Sequence, residues 1–150
     1  MPHHPKPLWR CPKCGAEFVT RNMWHSCGKF TLDDLFTRSE PHVIKLFRKL
    51  AKMVRACGPV KMIPQKTRVI FMTRVRFAGA VPRKSFLLCS FALPRRLNHP
   101  RFIKVESYSP LFHGHTIRLE SEKDLDDELQ KWLYEAYTVG NQEPLLKKKS

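Results

Sequence analysis

A chain of 150 residues can form one domain with a real hydrophobic core plus a small satellite, and is too short for two full domains. Its 28 Lys and Arg against 13 Asp and Glu leave a formal charge of +15, more than solubility requires, which points to a polyanionic partner such as nucleic acid. The longest apolar run, Phe86 to Leu93, is far too short to span a bilayer and no apolar core follows Met1, so a soluble, cytoplasmic protein is predicted.

The first predicted element is a metal module in residues 1–30. Cys11-Pro12-Lys13-Cys14-Gly15 has the spacing of a zinc knuckle, because two thiolates two residues apart grip one tetrahedral ion and the glycine can take the positive φ that turns backbone N–H groups toward sulfur. His25-Ser26-Cys27-Gly28 would close the site, with a one-residue gap tighter than zinc fingers usually show. The expected ligands are Cys11, Cys14, His25 and Cys27. Four protein ligands leave no open position, so this zinc is expected to be structural and to stand in for a core the segment lacks. A disulfide is the alternative, disfavoured without a secretory signal, and His3 or His4 could compete for the fourth position. Cys57 and Cys89 lie in apolar surroundings and read as packed thiols.

Residues 31–140 read as one α+β domain. Thr31-Leu32-Asp33-Asp34 is a capped helical turn, with Leu32, Leu35 and Phe36 available for docking. Ser39 is the expected cap of a longer helix that tolerates Pro41 in its first turn, buries Val43, Leu46, Phe47, Leu50, Val54 and Cys57, and stops at Gly58. Lys45, Arg48, Lys49 and Lys52 fall on its opposite face, either solvated or touching phosphate.

From Val60 to Leu119 the pattern becomes extended. Strands are expected around Val60–Ile63, Thr67–Ala80, Ser85–Leu93, Phe102–Ser107 and Phe112–Leu119, and the short loops between them favour antiparallel hairpins. A last helix opens at Ser121, turns Leu125, Leu129, Trp132, Leu133, Ala136 and Tyr137 inward, and ends at Gly140; residues 141–150 form a solvated tail. The order predicts an open, mainly antiparallel sheet of about five strands with two helices on one face. The other face is left for a ligand.

The charge collects there. Residues 61–110 hold eleven Lys and Arg and a single carboxylate. Between Thr67 and Phe77 the alternation places Val69, Phe71, Val75 and Phe77 on one side and Arg68, Ile70, Met72, Arg74 and Arg76 on the other. Arg83, Lys84, Arg95, Arg96, Arg101 and Lys104 follow in turns or adjoining strands. Guanidinium groups grip phosphates bidentately and stack on bases, while Phe86 or Phe112 would add a π platform if turned outward and core if turned inward.

His113-Gly114-His115 sets two histidines on one side of a strand, able to hold a metal or phosphate or to move a proton. Ile117 and Leu119 continue that side, which argues that the histidines line the core edge. No Gly-rich phosphate loop, nucleophile elbow or H-E-x-x-H occurs, and carboxylates are scarce before residue 120, so the balance leans against catalysis.

Trp9-Arg10-Cys11-Pro12-Lys13-Cys14-Gly15, His25-Ser26-Cys27-Gly28, Pro64-Gln65-Lys66-Thr67-Arg68, Arg76-Phe77-Ala78-Gly79-Ala80-Val81 and Asp124-Leu125-Asp126-Asp127-Glu128-Leu129 together resemble a prokaryotic domain-of-unknown-function family, the one numbered five-six-five-five. The resemblance runs from about Asp34 to Gly140, with the cysteine module as an N-terminal addition. It implies an independent module attached at times to larger nuclease-like or transport-related proteins, which suits an accessory binding role, and it transfers no catalytic residue. Lys66 and Arg68 are the positions to test first.

Three functions compete at this level. The leading one is a zinc-containing module that engages DNA or RNA by phosphate contacts through Lys66, Arg68, Arg74, Arg76, Arg83, Lys84, Arg95, Arg96 and Arg101. A second is an enzyme or sensor holding an anionic small molecule in a pocket of Lys66, Arg68, His113 and His115; a third is an adaptor that docks a protein partner.

Overall fold

The computed structural model describes residues 7–12, 17–18 and 30–144. At the start, β1 (Trp9–Arg10) pairs antiparallel with β2 (Glu17–Phe18). The one-turn helix α1 (Leu32–Phe36) is fixed by a reciprocal cap, in which Thr31 Oγ1 accepts from the Asp34 N–H at 3.2 Å and the Asp34 carboxylate accepts from the Thr31 N–H at 3.1 Å. It delivers Phe36 to the core, 5.0 Å from the ring of Phe47.

The next helix, α2 (Pro41–Arg55), buries Val43, Leu46, Phe47, Leu50, Ala51 and Val54 at three- and four-residue spacing. Pro41 is harmless because the first helical position has no intrahelical use for an N–H. Gly58 then takes a φ of +145° beside the ring of Tyr137, a conformation that L side chains rarely adopt.

Six strands follow: β3 (Lys61–Pro64), β4 (Val69–Met72), β5 (Arg76–Pro82), β6 (Leu87–Leu93), β7 (Phe102–Ser109) and β8 (Phe112–Leu119). Every neighbouring pair is antiparallel, in the order β3-β4-β5-β6-β8-β7. The chain after β6 therefore passes to the far edge as β7 before β8 returns to pair with β6. A 3-10 turn (Glu122–Asp124) leads into α3 (Asp127–Gly140), capped by Asp126, whose side chain accepts from the Leu129 N–H at 3.0 Å.

Alternation decides the two faces of this sheet. Phe71, Phe77, Leu87, Cys89, Phe91, Leu93, Ile117 and Leu119 share one core with Leu46 and Leu50 of α2 and with Leu129, Trp132 and Leu133 of α3. Each such burial contributes roughly 1.5–3 kcal/mol. On the other face Ile70 and Met72 form a separate small cluster with Ile63 and Trp9, and Lys61 reaches Glu17 at 3.1 Å. The β1–β2 ladder thus docks on the helix-free face, at its β3–β4 margin.

The α+β class and the open antiparallel sheet are as predicted, with six strands and three helices in place of five and two. The segment Thr67–Ala80 is two strands. Residues Thr73–Val75 turn between them because the N–H groups of Arg74 and Val75 both donate to the Gly140 carbonyl at 3.1 Å, and a register shift at Phe71/Met72 restores the pairing. Ser39 is not the cap of α2; that residue is Glu40, and Ser39 Oγ donates instead to the Arg83 carbonyl at 2.8 Å. Ser121 precedes only the 3-10 turn. Cys14, His25, Cys27 and residues 145–150 lie outside the described residues. Among those described, no helix is long and apolar enough to cross a membrane.

Where α3 ends against the β4–β5 turn, a Cβ on Gly140 would stand 2.5 Å from Phe77 Cδ1 and 2.7 Å from Thr73 Oγ1. Gly140→Ala is therefore expected to lower stability by about 1–3 kcal/mol. In urea denaturation the midpoint should fall with the slope unchanged; an unshifted midpoint would mean the turn gives way freely.

Candidate functional site

The helix-free face carries an open groove of about 350 Å³ over the middle of the sheet. Gly79 on β5, Ser90 and Ala92 on β6, and Gly114 on β8 line its floor, so little side chain stands between a ligand and the backbone. Cross-strand pairing puts Gly79 opposite Ser90 and Gly114 opposite Ala92, and sets them on one face by parity. Ser90 Oγ and Thr116 Oγ1 share a hydrogen bond of 3.0 Å beside them.

Aromatic rings bound one end. Tyr108 and Phe112 flank the β7–β8 turn with ring centroids 6.0 Å apart, and Tyr108 remains 64% exposed. A Cβ on Gly114 would lie 3.2 Å from Tyr108 Cε2, which shows how closely that ring leans over the sheet. The phenol donates to Glu106 Oε2 at 2.8 Å, and this bond raises the Tyr108 pKa.

Arg68 and Arg76 bound the side formed by β4 and β5. Burial, and after it the charge of Arg68, lowers the Arg76 pKa, so the two guanidinium groups sense each other without a carboxylate between them. Among the described residues neither has an ion-pair partner within 4.0 Å. Two like charges left uncompensated beside an apolar floor favour an anionic ligand.

The remaining sequence-predicted cations separate into two groups. Arg95 is gripped by Glu135 through two 3.0 Å contacts, and Arg101 by Asp126 at 3.0 Å and Glu128 at 3.3 Å, with its guanidinium 5.5 Å from the Trp132 ring. Arg96 donates to Ser107 Oγ, and Arg74 to Gln142 Oε1, each at 3.0 Å. These four serve contacts within the fold, and α3 and the turn before it supply the carboxylates. Lys66, Arg83 and Lys84 are exposed at the sheet end next to Arg68, and no described carboxylate lies within 4.0 Å of them.

The two histidines stand on the helix-covered side. His115 is fully buried, stacked 6.0 Å from Phe91; its Nε2 accepts from the Leu97 N–H at 3.0 Å and its Nδ1 donates to the His113 carbonyl at 2.9 Å. His113 Nε2 donates to the Pro110 carbonyl at 3.0 Å while Nδ1 accepts from Ser107 Oγ at 2.8 Å. Neither ring keeps a lone pair for a metal. The pocket expected from Lys66, Arg68, His113 and His115 therefore does not form, because the sheet separates its halves. Among the described residues no group of three or more His, Cys, Asp and Glu is placed to hold a metal.

Of the predicted zinc ligands only Cys11 is described; it is buried, directly after β1. Burial pushes the thiol of Cys57 up to about 11 and that of Cys89 to about 12, as packed, unreactive thiols require. Phe86 faces the open side, with the Arg118 guanidinium 3.7 Å above its ring, and Phe112 does too. Tyr108 is a member of this site that no sequence motif marks. It shares the open face with Glu106, the partner of Gly114, two residues before it on β7, a placement that depends on the β7–β8 register.

The chain belongs to the family described as a domain of unknown function, DUF5655, whose model matches residues 32–140. No curated protein and no solved structure matches it.

Burial lowers the His115 pKa; the bond to the His113 carbonyl opposes it in part, and the charges of His113, Arg96 and Arg95 add smaller effects in the same direction as burial. A histidine held neutral in the fold stabilises fully above its unfolded pKa of about 6.5, and the contribution is lost as pH falls below that value and the unfolded chain takes up the proton. Melting temperatures at pH 7.5 and 5.5 should show a larger acid loss for the native chain than for His115→Gln. Equal losses would show that His115 does not carry this dependence.

Proposed function

We propose that this DUF5655 member binds nucleic acid through the helix-free face of its sheet. The observation that carries this reading is the pair Arg68 and Arg76, without a described carboxylate partner, beside a glycine-floored groove that ends in the rings of Tyr108 and Phe112. Arginine forks hold phosphate oxygens bidentately, and an aromatic edge lets a base stack whatever its identity. Gly79 and Gly114 add no side chain to the floor, and over Gly114 the Tyr108 ring itself lies close to the strands. Contacts of this kind supply affinity more than sequence preference.

A structural zinc completes the proposal, held by Cys11, Cys14, His25 and Cys27. What supports it is the β1–β2 ladder on either side of Cys11-Pro12-Lys13-Cys14 and the burial of Cys11. Such an ion would stiffen the hairpin whose Trp9 rests on Ile70 and Met72. The chemistry of the site is binding, and no step is assigned to the metal.

Two measurements test these statements. Arg68→Ala with Arg76→Ala should weaken binding of a single-stranded oligonucleotide at least tenfold and reduce the slope of log K against log salt by about 1.4, whereas Lys49→Ala with Lys52→Ala on the outer side of α2 should leave the slope alone. An equal change in both pairs would mean diffuse attraction by net charge and remove the groove. Metal analysis of the purified chain should find one zinc per molecule, reduced on Cys11→Ser; a metal-free wild-type chain removes the zinc assignment.

A further inference from the structure

A second opening lies at the end of the sheet, between the α1–α2 link and the β5–β6 turn, and encloses about 550 Å³. Arg38, Lys66, Arg83 and Lys84 converge on it, with the hydroxyl-bearing Thr37, Ser39 and Thr67. None of these four cations has a described carboxylate within 4.0 Å. The one carboxylate on the wall, Asp34, already accepts from the Thr31 N–H.

The backbone here is pinned. The Glu40 N–H donates to the Lys84 carbonyl at 2.8 Å, Ser39 Oγ to the Arg83 carbonyl at 2.8 Å, and His42 Nε2 to the Ser85 carbonyl at 2.7 Å. With their carbonyls engaged inward, Arg83 and Lys84 are left exposed on the outer side of the turn. A chain that spends three hydrogen bonds on holding like charges together has preorganised a site for an anion.

This cleft is not separate from the groove. Val81 lines both, and Lys66-Thr67 on the cleft runs directly into Arg68 on the groove. Along β5 the order is Arg76, then Gly79, then Val81, with Arg68 just before the start of β4, and Arg83 and Lys84 follow in the turn after β5. At the rise of a strand, Arg76 to Lys84 spans roughly 25 Å.

Resting on the nucleic-acid reading above, we infer that groove and cleft form one track for a single strand: bases lie toward Tyr108 and Phe112, and the backbone leaves over Val81 into the cluster of Arg38, Lys66, Arg83 and Lys84. The ligand class this selects is a single-stranded oligonucleotide of at least about four nucleotides, the lower end of the footprints of OB-fold single-strand binders. A duplex holds its bases stacked inside and cannot lay them on the groove floor.

Thymidine oligonucleotides of two to twelve nucleotides test the track, with NMR titration for the shortest and fluorescence anisotropy for the longer. Native affinity should climb steeply between two and about six nucleotides. The exposed-site variant Lys66→Ala/Arg83→Ala/Lys84→Ala should bind the dinucleotide as the native chain does, lose at least tenfold on the dodecamer, and show a salt slope lower by about 2. Native-like binding of the dodecamer by that variant overturns the cleft and leaves the groove standing, provided Arg68→Ala/Arg76→Ala is still defective. Equal loss at every length shows a diffuse field and overturns the track. If a duplex of the same length competes as well as the single strand, the assigned ligand class falls; if no oligonucleotide binds the native chain, both readings fall together.

Discussion

One constraint organises this molecule: side chains on a strand alternate, and the helix-covered side of the sheet has to be apolar. Phe71, Phe77, Phe91, Leu87 and Ile117 can meet Leu50, Leu129 and Trp132 only if their neighbours in sequence point away. Arg76 and Ser90 are such neighbours, and Arg68, Gly79 and Gly114 join them along the open groove. The groove is thus the geometric complement of the core. A one-residue slip in any central strand would empty one and fill the other.

Electrostatics then divides the cations. The acidic segment that closes the chain sits where it can reach the loop after β6, so Glu135 holds Arg95, and Asp126 with Glu128 holds Arg101. Lys104 and Arg118 find Glu106 and Glu120 on their own strands or just beyond. Among the described residues Arg68 and Arg76 have no such neighbour, and neither do Lys66, Arg83 and Lys84. Net charge alone could not make this distinction, because a salt bridge is a fact of folding.

The fold was legible to the extent that it follows from short-range pattern. The stripe of α2, the inward set of α3 and the hairpin succession of strands are periodic, and periodicity survives in one dimension. Reading Thr67–Ala80 as one strand failed because the alternation happens to continue through Thr73–Val75, while the contact that bends the chain comes from Gly140, far along the sequence. Arg74 left the predicted face for the same reason. Ser39 shows the same limit: its hydroxyl serves the Arg83 carbonyl, so a local capping rule assigned it a partner that tertiary structure replaced. Arg38 and Tyr108 join their sites through contacts with other elements, and no spacing in the sequence encodes that.

Trp9 has a consequence for where the domain is held to begin. The family match starts at residue 32, yet the indole packs with Ile63 against Ile70 and Met72, on strands that belong to the matched region. A chain cut at that boundary would present those aliphatic side chains to water on the margin of a sheet whose edge strand β3 still offers unpaired backbone groups, a combination that invites strand-to-strand self-association. The structural unit is therefore larger than the homologous one, and its leading hairpin acts as a sealing flap over an otherwise sticky border.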